Sequence, residues 1–168
     1  EHLDHLWVGD ITYIPTWEGW LYLAVLLDAC SRRVVGWAMA EHLGGELTRD
    51  ALAMALDRRR PGTALVHHSD RGSQYTAAAY QVLLAEHGVT ASMSRAGDCY
   101  DNALAESFMA TLKTELIDRQ PWPTRRAAHH AIFDWIEGFY NRRRVHSALG
   151  YHSPMDFEEG LTTERLVA

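Results

Sequence analysis

The chain has 168 residues, of which 47% are hydrophobic, and its formal net charge is −6. This length suits one domain that buries a core of its own, and with only two cysteines a disulfide scaffold is excluded. The acidic balance also argues against a simple nucleic-acid coat, because phosphate binding depends on clustered cations.

The first part of the chain predicts three strands in succession. The predicted strands are 6–14, 20–29 and 32–40, with a turn at 15–19 after the first. Because side chains alternate between faces along a strand, the carboxylate of Asp10 projects from mid-strand on the same face as Val8, Thr12 and Ile14. Three sequential strands of this kind indicate an antiparallel meander.

A helical period then replaces the alternation, with Leu47, Ala51, Met54 and Ala55 on one stripe and Pro61-Gly62 as the stop. The later predicted elements are a strand at 64–68, a helix capped by Thr76 and ended by Gly88, a strand at 89–93, a polar loop at 94–102, and helices at 102–117 and 125–145. The inward residues expected in the second and fourth helices are Tyr80, Leu83, Leu84 and His87, and Ala128, Ala131, Ile132, Trp135 and Phe139. Trp7, Trp20, Trp37 and Trp135 are expected in the core. The order predicts an α/β fold, a five-stranded mixed sheet flanked by helices.

Three acids can converge in such a fold. If the first and fourth strands lie parallel and adjacent, Asp10 comes close to Asp70, which follows the carboxyl end of a strand, where open α/β sheets place their sites. Glu106 lies one turn into the helix beginning near Asn102, and thirty-five residues separate it from Asp70. Taken singly, the acids have structural explanations: a strand acid paired with arginine, a turn residue and a solvated helix face.

Three motifs with this spacing carry a family resemblance. LWVGDITYI, HHSDRGSQYT and YDNALAESFMATLKTEL resemble the catalytic core of the retroviral-integrase and bacterial insertion-sequence transposase superfamily. LDACSRRVVGWAM, FYNRRRVHSALGY and SPMDF resemble the insertion-sequence branch whose transposase is commonly made by frameshifting between two reading frames. The resemblance implies a ribonuclease H-like fold and carries Asp10, Asp70 and Glu106 over as a D-D-E triad of catalytic residues and metal ligands.

The same resemblance implies a DNA transposase or integrase activity, with metal-dependent cleavage and strand transfer. Water would free a 3′-hydroxyl at the element end, and this hydroxyl would attack a target phosphodiester. Two Mg²⁺ or Mn²⁺ ions, about 3.5–4 Å apart, can stabilise the attacking and leaving oxygens, and Mg²⁺ prefers oxygen ligands. The implied partners are transposon-end and target DNA, further copies of the chain in a synaptic complex, and a helix-turn-helix recognition part that is separate or missing.

Other residues are candidates for DNA contact. Lys113 lies two turns after Glu106 on the same helix face, and the resemblance suggests contact with the DNA end; the alternative is a solvated lysine. Asn102 could orient the substrate or simply cap the helix. Residues 119–155 contain six arginines against two acids, and the run Arg142, Arg143 and Arg144 is either a phosphate-binding face or a solvated helix end.

Two other functions stay open at this point: a ribonuclease H-type nuclease acting on RNA–DNA hybrids, and a catalytically silent DNA- or protein-binding module. A tyrosine recombinase is disfavoured, because its arginine, histidine and tyrosine would all fall in one contiguous stretch ending at Tyr151. We expect residues 1–120 to form the catalytic core and 121–168 a basic helical extension of the same domain.

The sequence predicts no membrane partner. Its longest uninterrupted apolar run, Leu21–Leu27, is far shorter than the roughly 20 residues of a membrane-spanning helix. No basic-then-apolar leader opens the chain, and we expect a cytoplasmic bacterial protein that associates with the nucleoid when on DNA. Because the sequence begins at Glu1 without a methionine, it is expected to be a fragment or a processed form.

Overall fold

The structure, a computed structural model, describes residues 2–62, 64–93 and 103–167, with side chains up to residue 163. Five strands form one sheet: β1 Leu6–Thr16, β2 Gly19–Asp28, β3 Val34–Ala40, β4 Val66–Ser69 and β5 Thr90–Met93. Their order is β3-β2-β1-β4-β5. The first three are antiparallel neighbours, whereas β4 runs parallel to β1 and β5 parallel to β4. The predicted mixed sheet and the parallel pairing of the first and fourth strands are therefore confirmed.

Within the described residues, six α-helices accompany the sheet: α1 Gly45–Arg59, α2 Ser73–Thr76, α3 Ala78–Glu86, α4 Ala103–Glu115, α5 Arg125–Phe133 and α6 Pro154–Val167. A π-helical segment, Asp134–Tyr140, continues α5, and short 3₁₀ turns occur at Ile117–Arg119 and Ser147–Leu149. In the described part of the chain, no helix is long and apolar enough to cross a membrane.

Helices cover both faces of the sheet and divide the core into two layers. On one face Val8 and Ile14 of β1 pack with Phe108 and Leu112 of α4 and with Ile132 of α5. On the other face, the partners are α1 and α3; this layer includes Trp7, Leu26, Leu52, Tyr80 and Leu84. The alternation predicted for the first strand is thus present, and it turns Asp10 toward the α4 side.

The first hairpin is longer and tighter than the sequence suggests. Strand β1 continues to Thr16, which pairs with Gly19, so the predicted 15–19 turn shrinks to the link between them. Gly19 has a φ of +113°, a conformation that L side chains rarely adopt. Trp20, near the start of β2, is 48% exposed, so its predicted core position is wrong. Trp7, Trp37 and Trp135 are buried as expected.

The second predicted helix divides into α2 and α3. Thr76 ends α2, and its hydroxyl donates back to the carbonyls of Gly72 and Ser73, so Thr76 does not cap α3 as predicted. His87 is exposed rather than inward, because its Nδ1 lies 3.0 Å from the Leu83 carbonyl at the helix end. The chain then turns at Gly88, whose positive φ ends the helix at the expected position.

The fourth predicted helix changes its hydrogen-bonding period before it ends. Thr124 caps α5 by accepting from the Ala127 amide, but the Asn141 amide donates to Ile136, five residues back, as in a π-helix. The wider turn shifts the inward stripe, so Ile136 and Tyr140 are buried while Phe139 is 40% exposed. The predicted inward position of Phe139 and the extension of the helix to 145 are therefore wrong.

Candidate active site

Asp10 occupies the middle of β1, partly buried, where one carboxylate oxygen accepts from the Ile11 amide at 2.8 Å. Burial is the main cause that raises its pKa to about 6, and the Ile11 hydrogen bond opposes this. Asp70 and Glu106 raise the pKa further through their charges, whereas Lys113 lowers it. The structure therefore brings three sequence-predicted residues within electrostatic reach of Asp10.

Asp70 follows the last residue of β4, at the carboxyl end of the strand. Its side chain is exposed, and Oδ1 accepts from the Gly72 amide at 2.7 Å in an Asx-type turn. The turn explanation and the site explanation are compatible, because the turn holds one oxygen and fixes where the carboxylate stands. The parallel pairing of β4 with Leu6–Val8 then directs this turn toward Asp10.

Glu106 stands in the first turn of α4 with an exposed side chain, and Lys113 stands in its last turn. Seven residues make nearly two full helical turns, so both side chains leave the same side of the helix. The ammonium of Lys113 lies 5.7 Å from the ring centroid of Tyr13 on β1, a cation–π distance. Lys113 thus reaches β1 at a position three residues from Asp10.

The three carboxylates suit a hard divalent cation, which prefers oxygen ligands. Among the described residues, no three His, Cys, Asp or Glu side chains already stand close enough to hold one ion. Asp70 and Glu106 are exposed at the ends of their elements, so rotation of these side chains toward Asp10 meets little packing resistance. Burial and the two neighbouring carboxylates raise the pKa of Asp10, and a bound cation would oppose both effects.

A buried aromatic cluster next to the site was not predicted from the sequence. His67 of β4 contacts the hydroxyl of Tyr80 and the carbonyl of Trp7. Tyr75 packs edge-on against His67, and its pKa is raised by burial first and also by Tyr80, Asp10 and Asp70. Tyr75 therefore lies within electrostatic reach of both carboxylates.

In the sequence, the residue that could have indicated this aromatic cluster is Gly9 of β1. A β-carbon at Gly9 would lie 2.7 Å from Cε1 of His67 and 3.4 Å from the Tyr75 hydroxyl. A glycine inside a strand often marks such a close approach, here directly before Asp10. His68, which the sequence analysis kept out of the triad, is packed at 9% exposure, with its Nδ1 3.0 Å from the Ser92 hydroxyl.

The remaining candidates for DNA contact lie in different surroundings. Asn102 falls outside the described residues. Arg142 and Arg143 are exposed after the π-helical segment, and Nε of Arg142 donates to the Glu137 carbonyl. Arg144 instead turns to α4, where its guanidinium donates to both oxygens of Glu115 at 2.7–3.1 Å. The three arginines therefore do not present one continuous face.

The sequence matches two family models, each described as an integrase core domain, over residues 1–99 and 87–154. The chain therefore belongs to the integrase core domain family. It is 49% identical over 156 residues to the transposase for insertion sequence element IS904 of Lactococcus lactis, covering 93% of this chain and 62% of that protein. It is 48% identical over 152 residues to the transposase InsF for insertion sequence IS3A of Escherichia coli, covering 90% of this chain and 53% of that protein. The chain thus spans between half and two thirds of the length of these relatives.

Solved structures resemble the fold closely. The catalytic core domain of HTLV-2 integrase, in complex with magnesium and in a trimeric form, matches with a TM-score of 0.68 and 17% identity over 92% of this chain and 95% of that one. The intasome of simian T-cell lymphotropic virus, in complex with the PP2A regulatory subunit B56 gamma, matches with a TM-score of 0.72 and 18% identity over 92% of this chain and 54% of that one. This likeness establishes the ribonuclease H-like fold that the sequence resemblance implied.

Proposed function

We propose that this chain is the catalytic domain of a DNA transposase, a polynucleotidyl transferase that cleaves DNA strands and transfers them to a target. The observation that supports the proposal is that Asp70 and Glu106 lie within electrostatic reach of the partly buried Asp10, where burial first and then their charges raise the pKa of its carboxyl group. Membership of the integrase core domain family and two insertion-sequence transposases among the relatives support it.

We propose Asp10, Asp70 and Glu106 as ligands of two Mg²⁺ or Mn²⁺ ions. When bound, such ions supply Lewis-acid stabilisation of the attacking and leaving oxygens of an in-line displacement. An all-carboxylate donor set is chemically suited to them, and the HTLV-2 integrase core is a magnesium complex. The triad would act as catalytic residues through this role.

The residues of the chain divide the remaining work. Asp10 is fixed by β1 and by the Ile11 amide, so it provides a rigid reference point for the two exposed carboxylates. Lys113, near Tyr13 of β1, would pair with a phosphate of the DNA end and hold it beside the triad. Asn102, Arg142, Arg143 and Arg144 are proposed as further DNA contacts.

The partners and organisation follow from the proposed function. Joining two transposon ends to a target implies more than one copy of the chain in the synaptic complex, and the HTLV-2 integrase core was solved in trimeric and dimeric forms. The extra length of the relatives leaves room for a separate end-recognition part. We place the protein in the bacterial cytoplasm, on the nucleoid when bound to DNA, because its relatives are bacterial transposases.

We also propose that residues 121–168 extend the same domain as residues 1–120. Ile132, Ile136 and Tyr140 belong to the same core cluster as Val8 of β1. On α6, Glu158 accepts from Ser31 and from the guanidinium groups of Arg33 and Arg59 at 2.6–2.8 Å. These contacts tie the C-terminal part to the sheet and to α1.

The proposed function is tested by comparing two activities of the chain, strand transfer of DNA ends and cleavage of an RNA–DNA hybrid. The chain is incubated with Mn²⁺ and pre-cut duplex ends of an element encoding a close homologue, or with an RNA–DNA hybrid, alongside Glu106→Gln and the exposed control Asp50→Asn. We expect joining of DNA ends by the parent and by Asp50→Asn, and none by Glu106→Gln. Triad-dependent hybrid cleavage without joining would instead identify a ribonuclease H-type nuclease, and neither activity in the parent would favour a silent binding module.

A further inference from the structure

A polar cavity of about 280 Å³ lies beside α4, on a different side of the helix from Glu106. We call it the Arg32 pocket. Its polar lining consists of Arg32, Ser107, Thr111, Arg144, His146 and Ser147. These residues come from the β2–β3 loop, from α4 and from the segment that follows the π-helix, so three separate parts of the chain build the cavity.

The loop that carries Arg32 is held rigidly. Asp28, fully buried at the end of β2, accepts from the amides of Cys30 and Ser31, and its carbonyl accepts from the Arg32 amide. Arg32 itself adopts a φ of +60°, which is uncommon for a residue with a side chain. The fold thus maintains an unfavourable backbone conformation at the position that brings Arg32 to the cavity.

The cavity carries a net positive charge. Within the described residues no carboxylate pairs with the Arg32 guanidinium, although the side chain is half-buried. Arg144 is oriented by its contact with both oxygens of Glu115. The charges of Arg32, Arg144 and Glu115 therefore sum to +1. The hydroxyls of Ser107 and Ser147 add further hydrogen-bond donors, whereas the Thr111 hydroxyl donates to the Ser107 carbonyl.

The environment of His146 is an independent indication that the cavity binds a ligand. The residue is 8% exposed, and its Nε2 is buried without a hydrogen-bond partner among the described residues. Burial lowers its pKa to about 4, and the charges of Arg144 and Arg32 add to this effect. Buried polar atoms normally have partners, so an unsatisfied nitrogen beside two arginines indicates a group that accepts hydrogen bonds and carries negative charge.

We propose that the Arg32 pocket binds a phosphate group, with Arg32, Arg144 and His146 as its principal donors. The phosphate belongs either to the DNA backbone, in which case the proposal rests on the proposed function, or to a free phosphate. Ser107 and Thr111 lie roughly 100–140° round α4 from Glu106, on a helix about 10–12 Å wide. The pocket and the triad therefore open on different sides of α4, so a phosphate in the pocket is a contact separate from those at Glu106 and Lys113.

Inorganic phosphate is the first probe. It is titrated at constant ionic strength into the chain with ¹⁵N-labelled histidine, and the imidazole resonances of His146 are followed by NMR. We expect saturable shifts of His146, and binding at least about tenfold weaker in Arg32→Gln, since a charge-assisted contact is lost. Arg49→Gln removes an exposed arginine on α1 and should bind phosphate as the parent does.

Duplex DNA of arbitrary sequence distinguishes the two sources of phosphate. If DNA occupies the pocket, it shifts His146, and in Arg32→Gln the slope of log affinity against log salt falls by about 0.9, the loss of one phosphate contact. If inorganic phosphate shifts His146 but DNA does not, the pocket serves a free phosphate. Ser147→Ala, a change at an exposed position, provides a second variant if Arg32→Gln fails to fold.

Absence of a His146 shift with both probes would overturn the proposal and leave water as the occupant of the cavity. Neither titration needs metal or catalysis, so that result would leave the proposed function intact. Conversely, if phosphate binds normally but no assay detects strand transfer, the proposed function is overturned and the phosphate-binding proposal stands.

Discussion

His67 shows at the scale of one residue how burial fixes a protonation state. It is 1% exposed, its two ring nitrogens face the Trp7 carbonyl and the Tyr80 hydroxyl, and burial lowers its pKa from 6.5 to about 4. The folded protein therefore holds a neutral imidazole, whereas the unfolded chain takes up a proton near pH 6.5. Stability from this group is present above pH 6.5 and is lost as the pH falls toward 4.

We predict that His67→Gln reduces the pH dependence of unfolding between pH 7 and pH 4. A shift of this size corresponds to roughly 3 kcal/mol in the parent, a contribution that glutamine cannot make because it does not titrate. Urea unfolding at several pH values measures the slope, with exposed His87→Gln as the control. Equal slopes in the parent and in His67→Gln would show that His67 is protonated in the fold.

In the proposed function, the ammonium group of Lys113 on α4 pairs with a phosphate of the DNA. We predict that Lys113→Glu weakens duplex binding and lowers the salt slope by at least about 0.9, because one phosphate contact is lost. Lys113→Arg, which keeps the charge, should preserve most of the DNA binding and leave Mn²⁺ binding unchanged. Fluorescence anisotropy at several salt concentrations gives the answer, and parental affinity in Lys113→Glu would exclude the contact.

Gly36 controls the contact between two elements, β3 and α1. A β-carbon at this position would lie 2.3 Å from the Ala51 carbonyl oxygen and 2.7 Å from Cβ of Ala55. These are backbone and short side-chain atoms, which cannot move aside as the end of a long side chain would. The close approach of α1 to the sheet therefore depends on the missing side chain.

We predict that Gly36→Ala destabilises the fold by about 1–3 kcal/mol, the usual cost of overpacking. Gly45→Ala, at the exposed start of α1, meets no atom within 4 Å and should be neutral or slightly stabilising. Thermal and urea unfolding of both variants would check this. A neutral Gly36→Ala would mean that α1 shifts freely on the sheet.

Regular elements were predictable because their signal is local. Alternation in 6–14 placed Asp10 on the inward face with Val8, and helical spacing placed Ala51 and Ala55 on one stripe. The exposure of Trp20 and Phe139 was not predictable, since it depends on tertiary packing at the end of the hairpin and on a single π-helical turn. The cavity formed by Arg32 and His146 was not predictable either, because residues more than a hundred positions apart meet only in the folded chain.

At the scale of the whole molecule, the C-terminal part completes the core. Without residues 121–168, the side chains of Val8, Phe108 and Leu112 lose Ile132, Ile136 and Tyr140 from their cluster. We therefore predict that a fragment of residues 1–120 lacks a cooperative unfolding transition and is rapidly degraded by protease. Circular dichroism during urea titration measures this, and a cooperative transition in the fragment would show that the two parts are separate domains.

The central claim is that the three carboxylates form one metal site for DNA strand transfer, and Asp70 is its most direct test. Mn²⁺ and Mg²⁺ are titrated calorimetrically, with and without DNA ends, into the parent chain, Asp70→Asn and the control Asp50→Asn. Binding at least about tenfold weaker in Asp70→Asn alone is expected, since even supporting contacts of metal ligands are worth that much. Equal binding by the parent and Asp70→Asn, or no binding even with DNA, would contradict the claim and leave Asp70 as a turn residue.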